Sequence, residues 1–128
     1  MQMIRGIVAS GLGEGKLFLS MNQYNAQIIK KLGFAPFEGT LNIKVSEKEK
    51  LEYFKNGKMI IIDGFKTGSR NFGKVYCILS EINGIKGAAI NSEKTSHKDI
   101  VEFIAPINLR KELDLKDGDK VTVKKIGA

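Results

Sequence analysis

The stretch that decides the fold reads Lys74-Val75-Tyr76-Cys77-Ile78-Leu79-Ser80-Glu81-Ile82-Asn83-Gly84-Ile85-Lys86-Gly87-Ala88-Ala89-Ile90-Asn91. Two apolar runs flank an Asn-Gly pair. A two-residue type I′ turn needs positive φ at both central positions, which Asn and Gly tolerate, so the pair predicts a hairpin with arms over 74–82 and 85–91. Strand signals recur on both sides of it, over 3–9, 17–20, 40–45, 58–63, 100–105 and 120–126. Helix signals are fewer. Asn22 offers an N-cap for a helix with Ile28, Ile29 and Leu32 on one side and Gly33 as its stop. Ser46-Glu47-Lys48-Glu49 is a capping-box pattern, predicting a short helix to about Asn56. One helical turn fits 109–113, and Asp117-Gly118 is a turn. The Gly-rich segment 63–73 reads as a mobile surface loop. Seven or eight short strands with two or three short helices favour a mainly β protein whose sheet closes into a barrel, because closure removes exposed edges.

The chain has 128 residues, which suits one domain over 1–128. Cys77 is the only cysteine, so an intrachain disulfide is impossible. Within its apolar run it reads as a small buried hydrophobe, and the cysteine count suits a cytoplasmic protein. The longest apolar runs, such as Met59-Ile60-Ile61-Ile62, fall far short of the ~20 residues of a membrane helix. The expectation is therefore a soluble chain with no membrane partner. The net charge of +7 points to an anionic partner, and nucleic acid, a nucleotide or an acidic surface would all fit. The lysines are dispersed (Lys30, Lys31, Lys44, Lys48, Lys50, Lys55, Lys58, Lys124, Lys125), and a solvated basic surface accounts for most of them.

Three segments could carry chemistry. The first is Ser10-Gly11-Leu12-Gly13-Glu14-Gly15-Lys16, read as a loop between two strands. Alternating glycines let backbone N–H groups converge on an anion, and Lys16 adds charge. The segment is neither a Walker A loop nor a dinucleotide fingerprint, and a plain flexible hairpin loop also fits. The second is Phe37-Glu38-Gly39-Thr40-Leu41-Asn42-Ile43. On a strand, Thr40 and Asn42 share a face, so a hydroxyl and an amide oxygen stand together and suit a hard cation. Both are neutral, so a cation there would lean on phosphate oxygens. An ordinary solvent-facing strand edge remains open. The third runs from Thr95 to Arg110. Glu102 lies on the face opposite Val101 and Phe103 and could orient or deprotonate a hydroxyl, or simply face solvent. Asn108 and Arg110, after Pro106, could read a base edge or grip phosphate. His97, the single histidine, has no partners for a metal site or triad and reads as a loop residue.

In order and spacing, Gly-Leu-Gly-Glu-Gly-Lys (11–16), Phe-Glu-Gly-Thr-Leu-Asn-Ile (37–43), Asn-Gly-Ile-Lys-Gly-Ala-Ala-Ile (83–90), Thr-Ser-His (95–97) and Glu-Phe-Ile-Ala-Pro-Ile-Asn-Leu-Arg (102–110) resemble the archaeal CTP-dependent riboflavin kinases. The resemblance covers essentially the whole chain. It implies a six-stranded cradle-loop barrel and transfer of the terminal phosphate of CTP to the ribityl 5′-hydroxyl of riboflavin, giving FMN and CDP. It implies that Gly11, Leu12, Gly13, Glu14, Gly15 and Lys16 wrap the nucleotide, together with Ile107, Asn108, Leu109 and Arg110. It implies magnesium on Thr40 and Asn42, and flavin contacts from Thr95 (Ser96 as the alternative position) and Glu102, the catalytic candidate. Phe65, Phe72 and Tyr76 are candidates to stack on the isoalloxazine ring. Some members of the family resemble a fusion with an N-terminal winged helix. Here the barrel begins near Met3, so no such domain, no nucleic-acid partner and a monomer are expected. Two other readings stay open: a DNA-binding swapped-hairpin barrel, which the ending Leu-Lys-Asp-Gly-Asp-Lys-Val also resembles, and a flavin-binding protein without catalysis.

Overall fold

The Asn83-Gly84 pair turns the chain as its chemistry demands, with φ of 49° and 80°. In the computed structural model, which describes residues 2–11, 14–95 and 97–126, the elements run β1 (Met3–Ala9), α1 (Glu14–Ser20), α2 (Asn22–Leu32), β2 (Leu41–Lys44), α3 (Glu47–Lys55), β3 (Ile60–Ile62), β4 (Phe65–Thr67), β5 (Arg70–Phe72), β6 (Val75–Ile82), β7 (Ile85–Ser92), β8 (Ile100–Ile104), α4 (Leu109–Glu112) and β9 (Lys120–Lys125). The main sheet has the order β3-β6-β7-β8-β2-β1-β9, and β9 pairs back onto β6 through Ser80↔Lys125 and Glu81↔Lys124. Six antiparallel strands therefore close a barrel. β3 is an additional strand on β6, in register Ile60↔Cys77.

Two apolar cores explain why β6 and β7 are nearly continuous apolar runs. Ile4, Ile43, Ile78, Ile82, Phe103 and Val123 come from five barrel strands and pack with Tyr53 and Phe54 of α3. On the other face, Val75, Cys77, Ala88, Ile90 and Ile104 pack against Leu19 of α1 and Tyr24, Ile28 and Leu32 of α2. Strands covered on both faces lose the apolar–polar alternation. The Cys77 thiol, 1% exposed, belongs to this second core, and burial pushes its pKa up to about 12. At Gly87 a Cβ would stand 2.1 Å from the Ile104 carbonyl oxygen, so the close approach of β7 to β8 requires glycine.

The caps follow the sequence closely. Gly33 ends α2 at φ 85°, and Ser46 Oγ accepts from the Glu49 N–H at 3.1 Å. Four expectations change. Residues 17–20, read as a strand, form the second half of α1. So short an apolar run does not reveal its period, and Leu19 is buried here against α2. Among the described residues the helices therefore number four, not two or three. Asn22 is the first residue of α2, and Met21 occupies the cap position without a side-chain bond. Segment 63–73 is a β4–β5 hairpin turning at Gly68 (φ 61°), held by Phe65 and Phe72 directly opposite one another, centroids 4.8 Å apart. Such cross-strand aromatic pairs stabilise short ladders.

Candidate active site

One polar cleft of about 410 Å³ opens beside β2 and β8. In register, Asn42 of β2 lies directly opposite Glu102 of β8. Thr40, just ahead of β2, donates from Oγ1 to Glu102 Oε1 at 2.9 Å. A hydroxyl, an amide and a carboxylate from two strands thus form one group. Gly11 closes over it, and a Cβ there would stand 2.2 Å from Asn42 Nδ2. Glycine at 11 is needed for that approach, whatever it does for a ligand. Ser10, Lys16 and Lys44 line the same cleft, so its walls are rich in cations.

Thr40, Asn42 and Glu102 each carry an oxygen donor, which fits a hard cation such as magnesium. Sequence reasoning left this group without a carboxylate; pairing β2 with β8 brings Glu102 to it. One carboxylate offsets only part of a divalent charge, so the anionic oxygens of a ligand still have to complete such a site. Among the described residues no cluster of three or more His, Cys, Asp or Glu offers an alternative.

A second cavity of about 330 Å³ shares Ile90, Ser92, Thr95 and Glu102 with the first. Its other walls include Phe18, Tyr24, Phe72 and Val75. Aromatic contacts run on from these walls: Phe18–Tyr24 at 4.5 Å, Tyr24–Phe65 at 4.9 Å, Phe65–Phe72 at 4.8 Å, with the Arg70 guanidinium 4.9 Å over Phe72. The Tyr24 hydroxyl donates to the Gly73 carbonyl at 2.7 Å, tying α2 to the end of the β4–β5 hairpin. The result is an apolar aromatic slot with Thr95 and Glu102 at its polar end. Of the three aromatics singled out in sequence, Phe72 lines the slot and Phe65 stacks behind it. Tyr76 packs with the other core, away from the slot, because neighbouring strand residues alternate faces. Phe18 and Tyr24 were missed, since one sat in a misread strand and the other looked like an ordinary helix residue.

The segment 107–110 lines a third cavity of about 210 Å³ next to Gly39 and Thr40. Leu109 is 4% exposed and its side chain belongs to the core. Asn108 Oδ1 accepts from the Lys111 N–H at 3.3 Å and caps α4. Arg110 donates to the Ala9 carbonyl at 3.0 Å and to Asp117 Oδ1 at 2.7 Å. Glu14 and Lys16 fall in α1, so the presumed loop between two strands runs from a strand into a helix. Leu12, Gly13 and Ser96, and the side chain of Glu14, lie outside the described residues.

Lys50 was counted among the solvated lysines, yet it is 6% exposed. Its Nζ donates to the carbonyls of His97 (3.0 Å) and Ile100 (2.6 Å), pinning α3 to the segment that leads from Thr95 to Glu102. Burial lowers its pKa, while Glu102 and Asp99 work in the opposite direction. The signal was available: Lys50, Tyr53 and Phe54 share one helical face, where a lysine is out of place. Thr95 Oγ1 accepts from the His97 N–H at 3.2 Å, and His97 lines the polar cleft. Asn91, also in the cleft wall, carries a buried amide oxygen that has no hydrogen-bond partner among the described residues.

Residues 8–124 match the family model CTP-dep_RFKase, described as "Domain of unknown function DUF120". The chain is 46% identical over 121 residues to a protein named riboflavin kinase from Pyrobaculum aerophilum, covering 92% of this chain and 58% of that one. It is 42% identical over 128 residues to a riboflavin kinase from Archaeoglobus fulgidus (96% and 54%), and 45% over 120 residues to one from Thermoplasma volcanium (92% and 54%). The chain thus spans a little over half the length of these curated relatives.

Proposed function

The chain belongs to the CTP-dep_RFKase family, and from that membership we propose that it transfers the terminal phosphate of CTP to the 5′-hydroxyl of riboflavin. The observation that carries the reading is Glu102. It is the carboxylate in the wall shared by a cation-rich polar cleft and an aromatic slot, hydrogen-bonded to Thr40 and opposite Asn42.

Phosphoryl transfer asks mainly for positioning and for neutralisation of charge on the phosphates. The aromatic slot suits a planar apolar ring, with Phe72 on its wall and Thr95 at its polar end. A hydroxyl-bearing chain leaving that end meets Glu102, which accepts its hydrogen bond and aims its oxygen into the polar cleft. The backbone at Gly11, with Lys16, holds the phosphates, and residues 107–110 with Arg110 hold the rest of the nucleotide. Thr40 and Asn42, with Glu102 beside them, would hold magnesium. When bound, the ion supplies charge neutralisation on phosphate oxygens. A loose transition state demands little base strength, so Glu102 serves chiefly to orient the hydroxyl. The choice of cytidine over other bases rests on family membership alone.

The test is donor choice. The protein is incubated with riboflavin and magnesium and given CTP, UTP, GTP or ATP in turn, with FMN as the readout. FMN with CTP is expected. No FMN with any donor refutes the kinase reading, and salt-sensitive binding of duplex DNA would then favour a nucleic-acid module.

A further inference from the structure

The Asp117-Gly118-Asp119 turn has no role in the chemistry above, yet it joins both segments assigned to the nucleotide. Its backbone is fastened to the end of β1: the Val8 N–H donates to the Asp119 carbonyl and the Gly118 N–H to the Val8 carbonyl, each at 2.8 Å. The turn is itself closed by Asp119, whose Oδ2 accepts from the Lys116 N–H at 2.8 Å and whose N–H donates to the Lys116 carbonyl at 3.0 Å. From this fixed platform the Asp117 carboxylate reaches two ways. Oδ2 accepts from the Ser10 hydroxyl, at the entrance to the glycine-rich segment. Oδ1 accepts from Arg110 Nη2 at 2.7 Å, and the same nitrogen donates to the Ala9 carbonyl at 3.0 Å. Ala9-Ser10, Arg110 and Asp117 therefore form a closed circuit. The carboxyl is held below its ordinary pKa by the Ser10 hydroxyl first and Arg110 second, as a carboxylate accepting from both should be.

We infer that Asp117 is a positioning residue for the nucleotide: its carboxylate locks the posture of Ser10-Gly11 to that of Arg110, so that the two segments face a nucleotide as one preformed surface. The inference rests on the functional reading above. It is not a statement about stability. The Arg110 and Asp117 side chains are 39% and 54% exposed, and ion pairs so exposed add little to folding. What the pair fixes is direction, because a carboxylate offers acceptors on two sides at once. Gly11 stands against Asn42, so the posture set at Ser10 is passed to the group around Glu102.

The test is Asp117→Asn in the full chain. An amide keeps one acceptor for one partner, but its NH2 cannot accept from the other. Three measurements go together: CDP binding with magnesium by calorimetry, riboflavin binding by fluorescence quenching, and exchange of the Ser10 and Gly11 amides by NMR without ligand. The expected result is about tenfold weaker CDP binding, riboflavin binding within about twofold of the parent, and faster exchange at Ser10 and Gly11. Exchange equal to the parent's overturns the lock whatever the protein binds. Faster exchange with unchanged CDP affinity overturns the link to the nucleotide, and equal loss of both affinities makes Asp117 merely structural. A parent protein that binds no nucleotide overturns the functional reading, and the claim on affinity with it, while the exchange result still decides the lock.

Discussion

Replacing Glu102 with glutamine removes a charge and almost nothing else. The side chain keeps its length, and the amide oxygen can still accept from Thr40 Oγ1, which now donates to Oε1 at 2.9 Å. β8 keeps its register with β2, because Asn42↔Glu102 is one of four backbone pairs there. What changes is the strength with which the residue holds a substrate hydroxyl. A hydrogen bond to a charged group contributes about 1.5–3 kcal/mol and a neutral one about 1, so the loss is about 0.5–2 kcal/mol. That corresponds to a rate lower by about 2- to 30-fold. A true general base would cost more, about 10²–10⁴-fold, with a change in the pH–rate profile. The orientation role predicts a fall within that range, short of about a hundredfold, with the profile keeping its shape. The assay is the initial rate of FMN formation at saturating nucleotide, with a thermal melt to show that the variant is folded. A folded variant turning over at the parent's rate removes Glu102 from the mechanism. A larger fall with a lost acidic limb replaces orientation by base catalysis.

Gly11→Ala places a Cβ 2.2 Å from Asn42 Nδ2, so it should displace that amide and lower turnover about tenfold or more, like Asn42→Ala. The double variant should then be little worse than either single one, and full additivity would show that the two sites act independently. Tyr53→Phe removes a buried 2.7 Å bond to Ser80 Oγ, while Ser80 keeps its 2.9 Å bond to the Ile78 carbonyl. The loss of about 1 kcal/mol should lower Tm by about 4 °C for a chain of this size, and an unchanged melt would contradict the bond. Asp117 has a lowered pKa in the folded state, so it binds fewer protons there than in the unfolded chain. Its contribution to stability should be present above the ordinary carboxylate range and vanish as pH falls through its depressed value. Because the pair is exposed the contribution is small: urea titrations of the parent and Asp117→Asn should differ little at neutral pH and not at all in acid, and a gap that widens in acid would contradict the sign.

The barrel was legible because its strands carry local signals. Asn83-Gly84 fixed one hairpin, and Ser46 and Gly33 marked helix ends by capping chemistry that needs no tertiary partner. Residues 17–20 and 63–73 were misread because their structure is decided elsewhere. Leu19 is helical in a segment packed under α2, and Phe65 and Phe72 find each other across a turn that Gly68 permits. The site divides in the same way. Thr40 and Asn42 could be paired from alternation within one segment. Glu102 is 60 or more residues away in the chain, and only the β2–β8 register brings it to them. The aromatic slot needs α1, α2 and the β4–β5 hairpin at once, so Phe18 and Tyr24 could not be singled out. Lys50 was the avoidable miss, since a lysine on the buried face of α3 announces a partner.

The most direct test of the account follows the phosphorus atom. The protein is given CTP labelled at the terminal phosphate, with riboflavin and magnesium, and the products are separated. The account predicts label in FMN, one for each CDP formed, and no turnover when riboflavin is left out. Label recovered as free phosphate, or CTP left intact beside bound riboflavin, would contradict it.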